Sequence, residues 1–481
     1  MRKIKHSFIK LIAAAANTLV VVYFLCVVGV IALLNPARQT VSVIEKRELA
    51  QEPEFSFSAL AEGSYTKGLS EYFADTFPLR DGLIKVGSAI KEHMGFRLGG
   101  AKLYGTAANE THIDTSFPTI DTITENQEML LPSEHLLPPE QTEEKSSTAP
   151  VESKPEKKET PTEELGVRNG SVLTCDGVGF TLFGGTSRMG QWYGEVINAY
   201  GNILKDRYNG NMRVYNLVVP TAVEFNLPKR YQSMTNSQRA SLDNIKSYIG
   251  ENVEWVDIYD TLEQHKDEYL FFRTDHHWTS LGAYYAYCEF AKTAGFEPID
   301  IQKLEKRTRD NFLGTLYAQT QDSKMLDKAD QVNYYILPNE TSCSMYIKNS
   351  PDQAMAVSLY GEYASQTNSY SIFLHGDNPV FVIDTDIKNG RKIAVVKESY
   401  GNAMIPFLAA SYERVVVIDQ RYLQKGLYQV LEQFGVNEML FINNILAAHT
   451  PVRIQEIIDL PNRTYQPKPQ IQQQEQALEQ Q

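Results

Sequence analysis

Four short runs after residue 210, "RVYNLVVP", "KIAVVKE", "RVVVID" and "EMLFIN", are apolar at nearly every position rather than at every second one. A strand that buries one face alternates apolar with polar residues. A strand apolar throughout needs cover on both faces, and parallel sheets acquire that cover from their crossover helices. Helical segments accompany these runs: "EVINAYGNILKDRY" precedes the first, "SQRASLDNIKSYIG" follows it, and others lie between the later ones. "VEWVDIY" reads as a further strand and "VLTCDGVGFTLFGG" as extended segments joined at glycine turns. The expected fold is therefore α/β over residues 167–465, a largely parallel sheet with flanking helices. Residues 298–390 are less regular and are expected to hold an insertion and antiparallel strands.

The remaining segments have other compositions. Residues 11–34 form a nearly unbroken apolar run behind Arg2, Lys3, Lys5 and Lys10. About 20 helical residues cross a bilayer core. Residues 1–40 are read as an uncleaved signal anchor with a cytoplasmic N-terminus and the remainder extracytoplasmic. A cleaved signal peptide and a buried helix are the alternatives. Residues 41–105 are expected to form a helical stalk or cap, with amphipathic segments near 64–74 and 80–93 on either side of Pro78. Residues 106–166 are rich in Pro, Glu, Lys and Thr and poor in aromatics, the composition of a disordered insertion. The Gln-rich residues 466–481 read as a disordered tail.

A formal net charge of -13 over 481 residues argues against nucleic acid as a partner. Among the cysteines, Cys26 lies in the apolar run, and Cys175, Cys288 and Cys343 are widely spaced with no CxxC. Buried thiols are the favoured reading, with one disulfide among the three as the alternative. No cofactor motif is present.

"FFRTDHHWTSLGAYYAY" sets Asp275, His276, His277 and Trp278 just before a helix. Thr279 or Ser280 can cap that helix and Gly295 can close it. Leu281, Tyr284, Tyr285, Cys288 and Ala291 recur at helical spacing and are expected to face the core. Asp275 and His277 can be read in three ways. A metal site is disfavoured, because adjacent histidines do not readily share one ion and no H-E-x-x-H is present. A structural reading makes Asp275 a turn cap and His277 a satisfied ring. A catalytic reading has Asp275 accept the Nδ1 proton of His277, leaving Nε2 as a base that needs a nucleophile from elsewhere.

"KIAVVKESYGNAMIPFLAASYERVVVID" offers one. Ser399 follows a strand directly and precedes a helix expected to start near Asn402, a sharp turn that exposes a hydroxyl beside helix N-terminal amides. Ser187, in "LFGGTSRMG", is the rival, with Gly184 and Gly185 as candidate lining.

Together with "EKRELAQEPEF", "YFADTFPLRD", "VVPTAVEFNLP", "FLGTLYAQT" and "YSIFLHGDNPVFVID", these stretches make the chain resemble the DHHW family. That family is similar to the alginate O-acetyltransferase-like extracytoplasmic proteins with an SGNH-hydrolase-like fold. The resemblance implies Asp275, His277 and Ser399 as a triad; His276 is read as a neighbour facing away. The order Asp, His, Ser implies a permuted sheet, and Glu398 stands where relatives often carry Asp. Trp278, Tyr400, Arg421 and Thr221 are expected at the substrate, with Trp278 walling the pocket. Gly401, Asn378 and Asn443 are the oxyanion candidates. The implied function is acetyl transfer to a cell-surface or exported polysaccharide, with a membrane-bound O-acyltransferase as partner. A carbohydrate esterase and a non-catalytic glycan-binding or assembly protein are the alternatives.

Overall fold

The computed structural model describes Tyr23, residues 41–42, 47–77, 80, 82, 101–104, 170–348 and 350–465. The expected anchor apart from Tyr23, the insertion and the tail, and nearly all of the 80–93 segment, lie outside the described residues. Among those described, no helix is long and apolar enough to cross a membrane. The chain divides into two units, one of residues 1–98 with 321–323, the other of residues 99–320 and 324–481. In the first, helices Phe57–Glu62 and Ser64–Asp75 meet at Gly63, whose φ of 81° takes the left-handed region that favours glycine. The Ser56 hydroxyl caps the first of them by accepting from Ala59 N–H.

The second unit is built on an eight-stranded sheet. Its strands are β1 (Arg213–Val219), β2 (Glu254–Trp255), β3 (Thr341–Tyr346), β4 (Ala354–Val357), β5 (Val380–Thr385), β6 (Lys392–Lys397), β7 (Arg414–Asp419) and β8 (Glu438–Asn444). They lie in the order β4-β3-β5-β7-β6-β8-β1-β2. From β7 to β2 the pairing is parallel, and β5, β3 and β4 continue the sheet antiparallel.

Two-sided cover explains the continuous apolar runs. Ile393, Val395, Val417 and Leu440 enter one core, while Ala394, Val396, Val416 and Phe441 enter the other. The first core is closed by α3 (Ser280–Ala294) and α4 (Ile405–Ala409). The second is closed by α1 (Ser187–Arg207), α2 (Gln238–Lys246), α5 (Leu427–Phe434) and α6 (Pro451–Asp459).

Two details differ from expectation. Ala101–Tyr104, assigned to the stalk, pairs antiparallel with Val172–Cys175, which pairs in turn with Val178–Thr181. And α3 turns a largely different face inward: Gly282, Ala283, Ala286, Tyr287 and Phe290 are buried, while of the expected residues Ala291 is buried and Leu281, Tyr284, Tyr285 and Cys288 are only partly so. Small residues decide this. A Cβ on Gly282 would come within 2.7 Å of Leu270 O, so the helix seats its small side chains against the chain it packs on. Its caps are as expected, with the Thr279 hydroxyl accepting from Gly282 N–H and Gly295 closing the helix at φ 78°. Cys175, Cys288 and Cys343 are free thiols.

The carboxyl ends of β6, β8 and β1 stand side by side. The chain leaves β6 toward β7 on one side, while β8 and β1 lie on the other. In open parallel sheets, ligands bind outside the strand ends where the winding reverses in this way.

Candidate active site

The "RTDHHW" segment is the tip of a closed loop. Phe271 and Trp278 form a bridge, and Thr279 N–H donates to Leu270 O at 2.8 Å. Asp330, fully buried, fixes the loop by accepting from Thr274 N–H at 2.7 Å, the Thr274 hydroxyl at 2.6 Å and Arg273 N–H. Burial raises the Asp330 carboxyl above its ordinary range, against the pull of these donors.

Both oxygens of Asp275 are committed. One accepts from His277 N–H at 3.0 Å and faces His277 Nδ1 at 2.6 Å. The other accepts from Thr315 N–H at 2.7 Å and from the Thr315 hydroxyl at 3.0 Å. A carboxylate only accepts, so His277 Nδ1 carries the proton and Nε2 keeps its lone pair. That lone pair faces Ser399 Oγ at 2.9 Å. Asp275 and His277 are 2 % and 5 % exposed, and the His277 ring stacks on Tyr370 with centroids 3.9 Å apart and planes 9° from parallel. The structure thus brings Asp275, His277 and Ser399 into one hydrogen-bonded line. It leaves the exposed Ser187 at the start of α1, where no described histidine bonds its hydroxyl.

Ser399 opens a single 3₁₀ turn, Ser399–Ala403, rather than a helix starting near Asn402. Glu398 caps that turn. One of its oxygens accepts from Tyr400 N–H at 3.0 Å and lies 3.3 Å from Ser399 Oγ, and the other accepts from Asn444 N–H at 3.0 Å and Asn444 Nδ2 at 3.2 Å. Three bonds tie the turn to its surroundings: Trp278 Nε1–H to Tyr400 O at 2.8 Å, Tyr400 O–H to His276 O at 2.7 Å, and Tyr370 O–H to Ser399 O at 3.0 Å. Burial, reinforced by nearby carboxylates, holds the Tyr370 and Tyr400 phenols well above their ordinary pKa, so both stay neutral donors.

Several expected site residues lie elsewhere. Trp278 is fully buried and works as a tie, because its only polar atom is spent on Tyr400 O. Arg421 is chelated by Asp419 and also meets Asp377 at 2.9 Å, beside the buried Lys397 that bonds both carboxylates. Gly401 N–H is spent on Glu398 O at 3.0 Å, and a Cβ there would come within 2.7 Å of Lys397 Cβ. Asn378 donates to Leu374 O, and Asn443 points to the opposite face of β8, toward Tyr193 in α1. A Cβ on Gly185 would overlap Phe183 and His449, so that glycine permits packing.

Thr221 and Tyr400 line a cavity of about 180 Å³, with His276, Thr315, Gln319 and Asn444. His276 therefore faces this cavity and not away from the site. Tyr370, Thr315, Asn444 and Gly314 escaped the sequence reading. A Cβ at Gly314 would overlap the Asp275 carboxyl, and "FLGT" contains the one signal, a glycine before a helix. Asp275, His276 and His277 can each offer one ligand atom within 4.8 Å of the others. A cation there would have to displace Asp275 or Ser399 from His277, whose two ring nitrogens face them.

A search of curated protein sequences found no match. The DHHW protein family model matches residues 45–129 and 154–418. A crystal structure of a DHHW family protein from Eubacterium siraeum is 32 % identical, with a TM-score of 0.55 over 62 % of this chain and 97 % of that one. Bacillus cereus PatB1 with a sulfonyl adduct is similar at 19 % identity and a TM-score of 0.50, over 60 % of this chain and 99 % of that one. The O-acetyltransferase domain of Pseudomonas putida AlgJ is more distant, at 14 % identity and a TM-score of 0.33. With its motif intact and most of its length matched, the chain belongs to the DHHW family.

Proposed function

We propose that this protein is an O-acetyltransferase that moves acetyl groups onto a surface or exported polysaccharide through Ser399, His277 and Asp275. The observation that carries this is the line Asp275–His277–Ser399, with 2.6 and 2.9 Å links in a tautomer set by the carboxylate. His277 Nε2 takes the Ser399 proton as Oγ attacks the acyl carbonyl, and Asp275 stabilises the imidazolium that forms. The proton then passes to the departing group, leaving acetyl-Ser399. An acceptor hydroxyl, deprotonated by the same Nε2, attacks the ester and releases Ser399. The N–H groups of Tyr400 and Gly401 are spent on Glu398, so the oxyanion donor we assign is the N–H of Ser399 itself. On this reading the sheet is a permuted SGNH-hydrolase-like sheet. Residues 1–40 anchor the protein with the site outside the membrane, and a membrane-bound O-acyltransferase supplies the acetyl group.

The esterase alternative uses the same three residues with water as acceptor. The two are separated by incubating the full chain with an activated acetyl ester, with and without an added oligosaccharide. A transferase yields acetylated sugar and slower release of free acetate. An esterase yields free acetate at the same rate in both. A glycan-binding protein without catalysis yields neither.

A further inference from the structure

We infer that Tyr370 is a positioning residue for the catalytic base: its ring holds the His277 imidazole in line between Asp275 and Ser399 and steadies the positive charge that this imidazole gains during acyl transfer. The assignment rests on the acyl-transfer reading and adds a fourth residue to it. Tyr370 lies outside the triad motifs, in the irregular stretch between β4 and β5, on the 3₁₀ turn Gln366–Ile372.

The Tyr370 ring is itself fixed. Its face lies on His277 with centroids 3.9 Å apart and planes 9° from parallel. Phe272 and Phe373 meet it edge to face, with centroids at 6.2 and 5.3 Å. Its hydroxyl donates to Ser399 O at 3.0 Å. The turn that carries it is pinned separately: Tyr360 and Phe373 form a bridge, and Gly361 N–H donates to Ile372 O at 2.8 Å. One side chain thus touches the base through its ring and the backbone of the nucleophile through its hydroxyl.

Both nitrogens and both faces of the imidazole are occupied. Asp275 and Ser399 take the nitrogens. Tyr370 covers one face. The His276 centroid is 3.8 Å away, too close for a ring at the edge, so His276 covers the other face. Glu398 stands 3.3 Å behind Ser399 Oγ, and the Tyr400 ring is 5.3 Å from His277. A flat ring clamped in this way cannot rotate about its Cβ–Cγ bond without driving an edge into its neighbours.

The contact changes character as the proton moves. While Nε2 keeps its lone pair, it is ordinary ring stacking. Once Nε2 takes the Ser399 proton, a cation lies on the negative face of a buried aromatic ring, an attraction that grows with desolvation. Burial and nearby carboxylates keep the phenol protonated, so Tyr370 offers a π face rather than a phenolate. An interaction that strengthens only as charge develops raises kcat and leaves substrate affinity unchanged.

The test is single-turnover acetylation of Ser399 in the full chain by an activated acetyl ester, read by mass over a range of ester concentrations. Tyr370→Leu should lower the maximal rate about 30-fold, the scale of one desolvated cation–π contact. The half-saturating concentration should move by less than about three-fold. Tyr370→Phe keeps the ring and loses the hydroxyl, and should recover to within about five-fold of wild type. A trifluorinated phenylalanine at this position keeps the shape and weakens the negative face, so it should run about five-fold or more below Tyr370→Phe. That last pair packs alike and decides the matter if Tyr370→Leu fails to fold. Equal rates for that pair, a Tyr370→Phe rate as low as that of Tyr370→Leu, or an effect confined to half-saturation would overturn the role of Tyr370. No label on Ser399 in the wild-type chain would overturn the acyl-transfer reading, and the role of Tyr370 with it.

Discussion

Gly314 lacks a side chain because the Asp275 carboxyl fills that space. Gly314→Ala should therefore shift Asp275 and cost about 100-fold in turnover, the scale expected for misplacing a catalytic group by about 1 Å. Its thermal transition should fall far less. A variant that loses stability but turns over normally when folded would contradict this. At the same scale, a chelator should leave activity unchanged, since His277 already spends both nitrogens on Asp275 and Ser399. Asp275, His277 and Ser399 were legible because each sits in a short motif at an element boundary. Tyr370 was not, because its stacking on His277 follows from a 3₁₀ segment whose sequence, "QTNSYSI", contains no chemistry of its own. His276 and Trp278 exchanged their expected places. The motif gives the identity of the four residues, and the loop geometry alone decides which of them meets the cavity.

Strand β6 ends on a buried charge. Lys397 and Asp419 are 1 % and 0 % exposed at the side chain and meet at 2.8 Å, and Lys397 also meets Asp377 at 3.2 Å. Removing Lys397 leaves both buried carboxylates to Arg421 alone, at a cost of up to about 3–5 kcal/mol. Lys397→Met should show that loss in urea unfolding, and should lower turnover as well because Ser399 is two residues further on. A near-neutral result would mean that methionine packs as well as the network. The apolar cores of β1, β6, β7 and β8 were readable from their runs, since two-sided burial writes itself into every position. The face of α3 was not, because that helix is apolar nearly all round and close approach at Gly282 chooses the orientation.

Over the whole molecule, acid should unfold the protein in two stages. Burial pushes His449 down to about 4, so the unfolded chain binds that proton more readily than the folded one. Its share of stability is complete above about pH 6.5 and is lost as pH falls toward 4, on the order of 3 kcal/mol in all. His449→Gln should flatten this part of a stability-against-pH curve, and an unchanged slope would assign it elsewhere. Burial works to raise Asp377, but Lys397 and Arg421 outweigh it and hold that carboxyl well below its usual range. The stability it lends is present above the ordinary aspartate pKa and disappears below it, so a steeper loss belongs under about pH 4. The α/β class and antiparallel extension were visible from composition and periodicity. The order of strands was not, since it depends on pairings between residues more than 200 positions apart, such as Glu438 with Arg213.

The central claim is that Ser399 is acylated with His277 as its base. Intact-mass and peptide mapping of the full chain after brief exposure to an activated acetyl ester tests it most directly. The account predicts one acetyl group on Ser399, none at that position in Ser399→Ala, and labelling slowed by about 10⁴-fold or more in His277→Ala. Wild-type turnover without label on Ser399, or equal turnover in Ser399→Ala, would contradict it.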